Sequence, residues 1–106
     1  VTREYTGHGV GRAMHEGPQV PNYGIAGRGI ELQPGMVIAL EPMLLVGTER
    51  TRTAPDEWTV VSADGSLRCH WEHSVALTEN DPAILTRLPN GESPAKIAGQ
   101  LGLERL

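Results

Sequence analysis

Gly7-His8-Gly9-Val10-Gly11, followed closely by Met14-His15-Glu16-Gly17-Pro18-Gln19-Val20-Pro21, sets two histidines in a glycine-rich segment just after a short extended run. Glycines on either side of His8 leave the backbone open to close approach by an ion or a ligand. Further along, Met36-Val37-Ile38-Ala39-Leu40-Glu41 is an apolar, β-forming run that is stopped by Pro42 and so reads as a buried strand ending on a carboxylate. A second carboxylate, Glu72, stands in Trp71-Glu72-His73 among apolar neighbours. An unpaired charge in such surroundings is costly unless the group protonates or finds a partner, and a bound cation is one partner that resolves the cost. Two-residue alternation sets Glu72 on the strand face opposite Trp71 and His73. One imidazole and two carboxylates suit Zn, Mn, Co or Fe and not a thiolate-selective ion.

Read singly, each of these residues has an ordinary alternative. His8 or His15 in a glycine-rich turn can be a surface or capping residue, Glu41 a strand end facing water, and Glu72 a solvated side chain on an outer face. His70 and His73 read as packing or surface residues, Cys69 as an inert strand residue, and Trp58 and Trp71 as core, with Trp58 the better candidate for a pocket wall.

At 106 residues the chain makes one small domain and excludes a two-domain enzyme within this stretch. Val1-Thr2-Arg3-Glu4-Tyr5-Thr6 alternates as though a strand were already under way, so an N-terminal portion is expected to precede it. Nine basic against thirteen acidic side chains, with no basic cluster, argue against nucleic acid as a partner. A single cysteine, no long apolar run and no leader point away from the membrane and towards a reducing cytoplasm.

Thirteen glycines and eight prolines break the chain into short pieces, so strand and loop dominate the expectation. Met43 to Val46 continues past the Pro42 kink. Trp58 to Ser62 and Leu67 to Thr78 flank Ala63-Asp64-Gly65-Ser66, whose Asp-Gly predicts a hairpin pairing these two runs. Arg50 to Asp56 reads as a surface loop. The expected organisation is a catalytic portion over residues 1–87 and a tail over 88–106, in which Ser93-Pro94 predicts the start of a short helix running from Ala95 to Leu101.

Taken in order, Gly7-His8-Gly9-Val10-Gly11, His15-Glu16, Pro18-Gln19-Val20-Pro21-Asn22-Tyr23, Pro34-Gly35-Met36, Glu41-Pro42-Met43, Trp58-Thr59-Val60, Asp64-Gly65-Ser66 and Trp71-Glu72-His73 resemble the C-terminal half of type I methionine aminopeptidases. The match runs from about Tyr5 to Thr86. Prolidases and aminopeptidases P share the His and Glu positions but not the Pro18 to Tyr23 stretch, and type II methionine aminopeptidases differ after the second histidine.

The resemblance implies an α+β fold, half of the pita-bread architecture, mainly antiparallel strands with a short C-terminal helix. It implies that His8, Glu41 and Glu72 are metal ligands, Glu72 bridging two divalent ions (Co, Mn, Fe or Zn). Glu41 would also carry the proton between the attacking water and the leaving amine. His15 would contact substrate and stabilise the tetrahedral intermediate. Trp58 matches a tryptophan of the methionine pocket, and Met14 takes a rim position that is commonly aromatic. Two aspartates and a further histidine of the family's site belong to the N-terminal half, so these 106 residues alone are expected to be inactive and to associate with that half. The implied reaction is removal of the initiator methionine from nascent chains, with the ribosome a further candidate partner. A non-catalytic pita-bread interaction module and a proline-directed peptidase are the alternatives.

Overall fold

A computed structural model describes residues 1–87, and their backbone is organised by antiparallel pairing of short strands. The largest sheet joins β1 (Gly7–Gly9), β2 (Glu16–Val20), β3 (Val37–Leu40), β8 (His73–Ala76) and β9 (Ala83–Ile84) in the order β2-β1-β3-β8-β9. Two smaller ladders pair β4 (Met43–Leu45) with β7 (Arg68–His70) and β5 (Thr51–Thr53) with β6 (Val60–Ser62). The apolar run ending at Glu41 is β3, and it takes the centre of the large sheet as its composition requires. Ile38 and Ala39 on β3 and Val75 on β8 are the buried apolar side chains among the described residues, while Ile25, Leu44, Val46 and Leu67 stand exposed.

Three expectations need correction. The Asp64-Gly65 turn forms, with Gly65 at φ 75° and its N–H donating to the Ser62 carbonyl at 3.2 Å. It does not close a hairpin between its flanking runs, because β6 turns back onto β5 and β7 crosses to β4. The Asp64 carboxylate explains the redirection. It accepts from the Thr48 N–H at 2.9 Å and the Ser66 N–H at 3.0 Å, fastening the turn to the segment after β4. Those bonds, Thr48 foremost, hold its pKa down to about 2. Secondly, Thr51 to Thr53, inside the expected loop, is β5, a run of β-branched and long side chains with a ladder partner in β6. Thirdly, Val1 to Thr6 is not strand. Thr2 is buried there, and its N–H donates to the Met43 carbonyl at 3.2 Å. No helix occurs among the described residues, and the expected Ala95 to Leu101 helix lies outside them.

Gly7 and Gly9 owe their identity to this sheet. A Cβ on Gly7 would overlap the Ala39 carbonyl oxygen, and one on Gly9 the Gly17 carbonyl oxygen. The glycines around His8 therefore admit the neighbouring strands, where the sequence suggests an approaching ion. Gly9→Ala should cost about 1–3 kcal/mol, because backbone must shift to admit the methyl. Thermal unfolding of the variant checks this, and an unchanged midpoint contradicts the close packing.

Candidate metal centre

The register of the large sheet builds the site. His8 on β1 lies opposite Ala39 on β3, and Ala39 lies opposite Ser74 on β8. Directly opposed residues of an antiparallel pair share a face, and so do residues two apart on one strand. Continuing one step past the last pair, Leu40↔His73, Glu41 follows Leu40 and Glu72 precedes His73. Both carboxylates thus emerge side by side at the same end of β3 and β8, on the face that carries His8. Ala39 and Ser74 between them are small.

The side chains meet as that register demands. One donor atom from each of His8, Glu41 and Glu72 lies within 4.8 Å of the other two. His8 Nε2 is 3.1 Å from Glu41 Oε1, with the two side chains only 13% and 12% exposed. Glu72 is half exposed. The Asn22 side-chain amide donates to the Glu41 main-chain carbonyl at 3.2 Å, fixing the backbone just past the strand end.

The tautomer of His8 follows from its other nitrogen. Nδ1 lies 2.8 Å from the Gly9 carbonyl oxygen, which can only accept, so Nδ1 carries hydrogen. In the neutral ring Nε2 then presents a lone pair to a carboxylate oxygen at 3.1 Å. The Glu41 and Glu72 carboxylates, with donor atoms within 4.8 Å of one another, repel by about 1 kcal/mol in water and several times that where water is partly excluded. A divalent cation between the three groups offsets this repulsion with attraction to both carboxylates and cancels their two negative charges. A carbonyl-anchored imidazole is also the usual way a metal-binding histidine is oriented. The donor set therefore fits a divalent metal ion.

His15 is brought to the same place, its ring centroid 4.2 Å from that of His8 and tilted by 45°. Trp58 and Met14 are 88% and 76% exposed. Trp58 sits on a turn whose Asp56 carboxylate accepts from the backbone N–H groups of Trp58 and Thr59. The Thr59 hydroxyl, then those N–H groups, keep that carboxylate below its ordinary pKa. The apolar cavity that opens beside the cluster, about 240 Å³, is lined by Tyr5, Met43, Val60, Arg68, Cys69 and His70, and by neither Trp58 nor Met14. His73 shares a 2.6 Å hydrogen bond with the Thr86 hydroxyl and meets Trp71 edge-on, away from the carboxylates.

One side chain beside the trio is not singled out by sequence. His70, which reads there as packing or surface, has Nε2 at 3.4 Å from Glu41 Oε2 and 3.9 Å from Glu72 Oε2. The signal for it is the same alternation that sets Glu72 apart from Trp71 and His73, since His70 stands two residues from Glu72 and shares its face.

Residues 1–79 match the model of metallopeptidase family M24. The chain belongs to that family. Among M24 relatives, the methionine aminopeptidase of Clostridium acetobutylicum is 56% identical over 86 residues, which cover 81% of this chain and 34% of that protein. Methionine aminopeptidase 1 of Bacillus subtilis is 51% identical over 88 residues, 83% of this chain and 36% of the relative. Of solved structures, the methionine aminopeptidase of Thermotoga maritima superposes with a TM-score of 0.76 at 49% identity, covering 82% of this chain and 35% of the other. That of Rickettsia prowazekii gives 0.73 at 41% identity, over 80% and 35%. This M24 chain thus spans about a third of the length of the curated relatives it matches. Membership of a metallopeptidase family agrees with the chemistry of the His8, Glu41 and Glu72 donors. The antiparallel sheets expected of half a pita-bread fold are those observed over the described residues. No described helix is long and apolar enough to cross a membrane.

Proposed function

We propose that this chain supplies the metal-binding, catalytic part of a methionine aminopeptidase that removes the initiator methionine from nascent polypeptides in the cytoplasm. The convergence of His8, Glu41 and Glu72 supports the reading most directly. The activity belongs to the whole protein that carries the chain, and its partners are peptides with an N-terminal methionine and, during synthesis, the ribosome. The site is proposed to take two divalent ions, which His8, Glu41 and Glu72 would hold together with donors from sequence outside these 106 residues.

His8, Glu41 and Glu72 would hold the metal, which when bound polarises the scissile carbonyl and makes water acidic enough to ionise near neutral pH. Glu41 has a second task. Little exposed, with its main chain held by Asn22, it takes the proton of the attacking water and returns it to the departing amine. His15, beside His8, donates to the carbonyl oxygen as negative charge develops there. Trp58 and Met14 would bound the methionine side chain, their exposure leaving them free to meet substrate or another part of the protein.

The test is peptide cleavage by the full-length protein, stripped of metal and reloaded in turn with Mn, Fe, Co or Zn. Release of free methionine from a Met-Ala-Ser peptide, and no cleavage of an Ala-Pro bond, is expected. Cleavage before proline, or no release with any of the four metals, overturns the proposal.

A further inference from the structure

We propose that Asn22 is a positioning residue of the metal centre, setting the direction of the Glu41 carboxylate through the Glu41 main chain. This rests on the metal reading above. It gives a task to the stretch Pro18-Gln19-Val20-Pro21-Asn22-Tyr23, which the proposed chemistry leaves unused.

The need arises where β3 ends. Its ladder with β8 stops at Leu40↔His73, so Glu41 lies one residue beyond the last pair, and Pro42 after it brings no N–H to hold the chain. The carbonyls at this point are instead held one by one from three directions. That of Glu41 accepts from the Asn22 side-chain amide at 3.2 Å, that of Pro42 from the Trp71 N–H at 3.2 Å and that of Met43 from the Thr2 N–H at 3.2 Å. Trp71 immediately precedes Glu72, so its bond ties together the two backbones that carry the carboxylates. Asn22 alone of the three donors acts through a side chain, and it alone acts on Glu41 itself. A carbonyl can only accept, so the amide nitrogen is the atom that faces it.

Strand pairing delivers Asn22 to that place. Val20 at the end of β2 lies opposite Gly7 on β1, and β1 pairs with β3 on its other side. Gly7 has no side chain to hold these strands apart, and a Cβ there would meet the Ala39 and Val20 carbonyl oxygens together. Two residues past Val20, Asn22 reaches across to the end of β3. The next residue, Tyr23, carries the Arg3 guanidinium over its ring at 5.2 Å, which anchors it to the Thr2-Arg3 segment that also holds Met43. A turn of the Glu41 backbone would swing its carboxylate away from His8 Nε2, now 3.1 Å distant. Binding an ion and carrying a proton both need that oxygen held to within about 0.5 Å.

The experiment is titration of the metal-stripped, full-length protein with Co(II), in wild type, N22A, N22D and N22Q. Thermal unfolding and methionine release from a Met-Ala-Ser peptide at saturating cobalt are measured beside it. Aspartate has the size of asparagine but no hydrogen to give the Glu41 carbonyl, whereas glutamine keeps the donor on a longer arm. Asn22 is only half-buried and lies outside the ladders, so the variants should keep the sheet. Co(II) affinity is expected to fall about 10- to 100-fold in N22A and N22D, with kcat lowered by a similar factor and KM little changed, and N22Q should recover most of both losses. Affinity and kcat unchanged in N22A and N22D, whatever happens to the melting midpoint, overturn the role of Asn22 and leave the trio standing. Losses in N22Q as large as those in N22A overturn it too, since the donated hydrogen is then not what matters. Failure of wild type to bind cobalt overturns the metal reading and this proposal with it.

Discussion

Glu72→Gln in the full-length protein is expected to abolish both metal retention and turnover. Glutamine keeps the size and the shape of the side chain, so the end of β8 is undisturbed, but the amide brings no charge to an ion. Glu72 is one of only two anionic groups in the trio, and its donor atom lies within 4.8 Å of those of both other members. Altering a residue that merely orients a ligand weakens metal binding about 10- to 100-fold. Loss of an anionic ligand should exceed the upper end of that range, and turnover should fall to background with it. The folded state should survive, because Glu72 is half exposed and lies outside the ladder hydrogen bonds. Metal content after gel filtration, circular dichroism and methionine release from a peptide separate these effects. A variant that keeps its metal and its turnover would remove Glu72 from the site.

Much of this site is legible in the amino-acid sequence, and the reason is periodicity. An apolar run that ends on a carboxylate before proline has few other readings, and β3 with Glu41 at its end is the result. The glycines beside His8 are equally visible, but their cause is not. Sequence shows that side chains are missing, whereas what fills the space, here the Ala39 and Gly17 carbonyls, depends on which strands pair.

Pairing is the illegible part. Asp64-Gly65 correctly announces a turn, yet local turn chemistry cannot say whether the two runs it joins will pair with each other. Distant partners set the outcome. β4 offers Leu44 opposite Cys69, and β5 offers Arg52 opposite Val61, leaving β6 and β7 in separate ladders. His70 is hard to recognise for a related reason. Alternation gives its face, but only the β4–β7 ladder, which begins directly after Glu41-Pro42, carries it to Glu41.

The second large effect is expected at His15, and it should have the opposite signature to Glu72. His15→Ala should leave the metal in place while turnover falls about 100- to 1,000-fold, the cost of removing one donor to a developing oxyanion. Metal retention follows from the geometry of His8. Its ring is oriented by its own Nδ1 bond to the Gly9 carbonyl at 2.8 Å, so the tilted His15 ring beside it is not needed to aim Nε2 at Glu41. The loss should therefore appear in kcat more than in KM, since the donor is used most strongly as charge develops. Gln at the same position, able to donate through its amide, should recover part of the rate. Metal analysis beside steady-state kinetics decides the matter. If His15→Ala loses metal in parallel with activity, His15 supports the His8 ring or ligates the ion, and a role on the substrate side of the site is wrong.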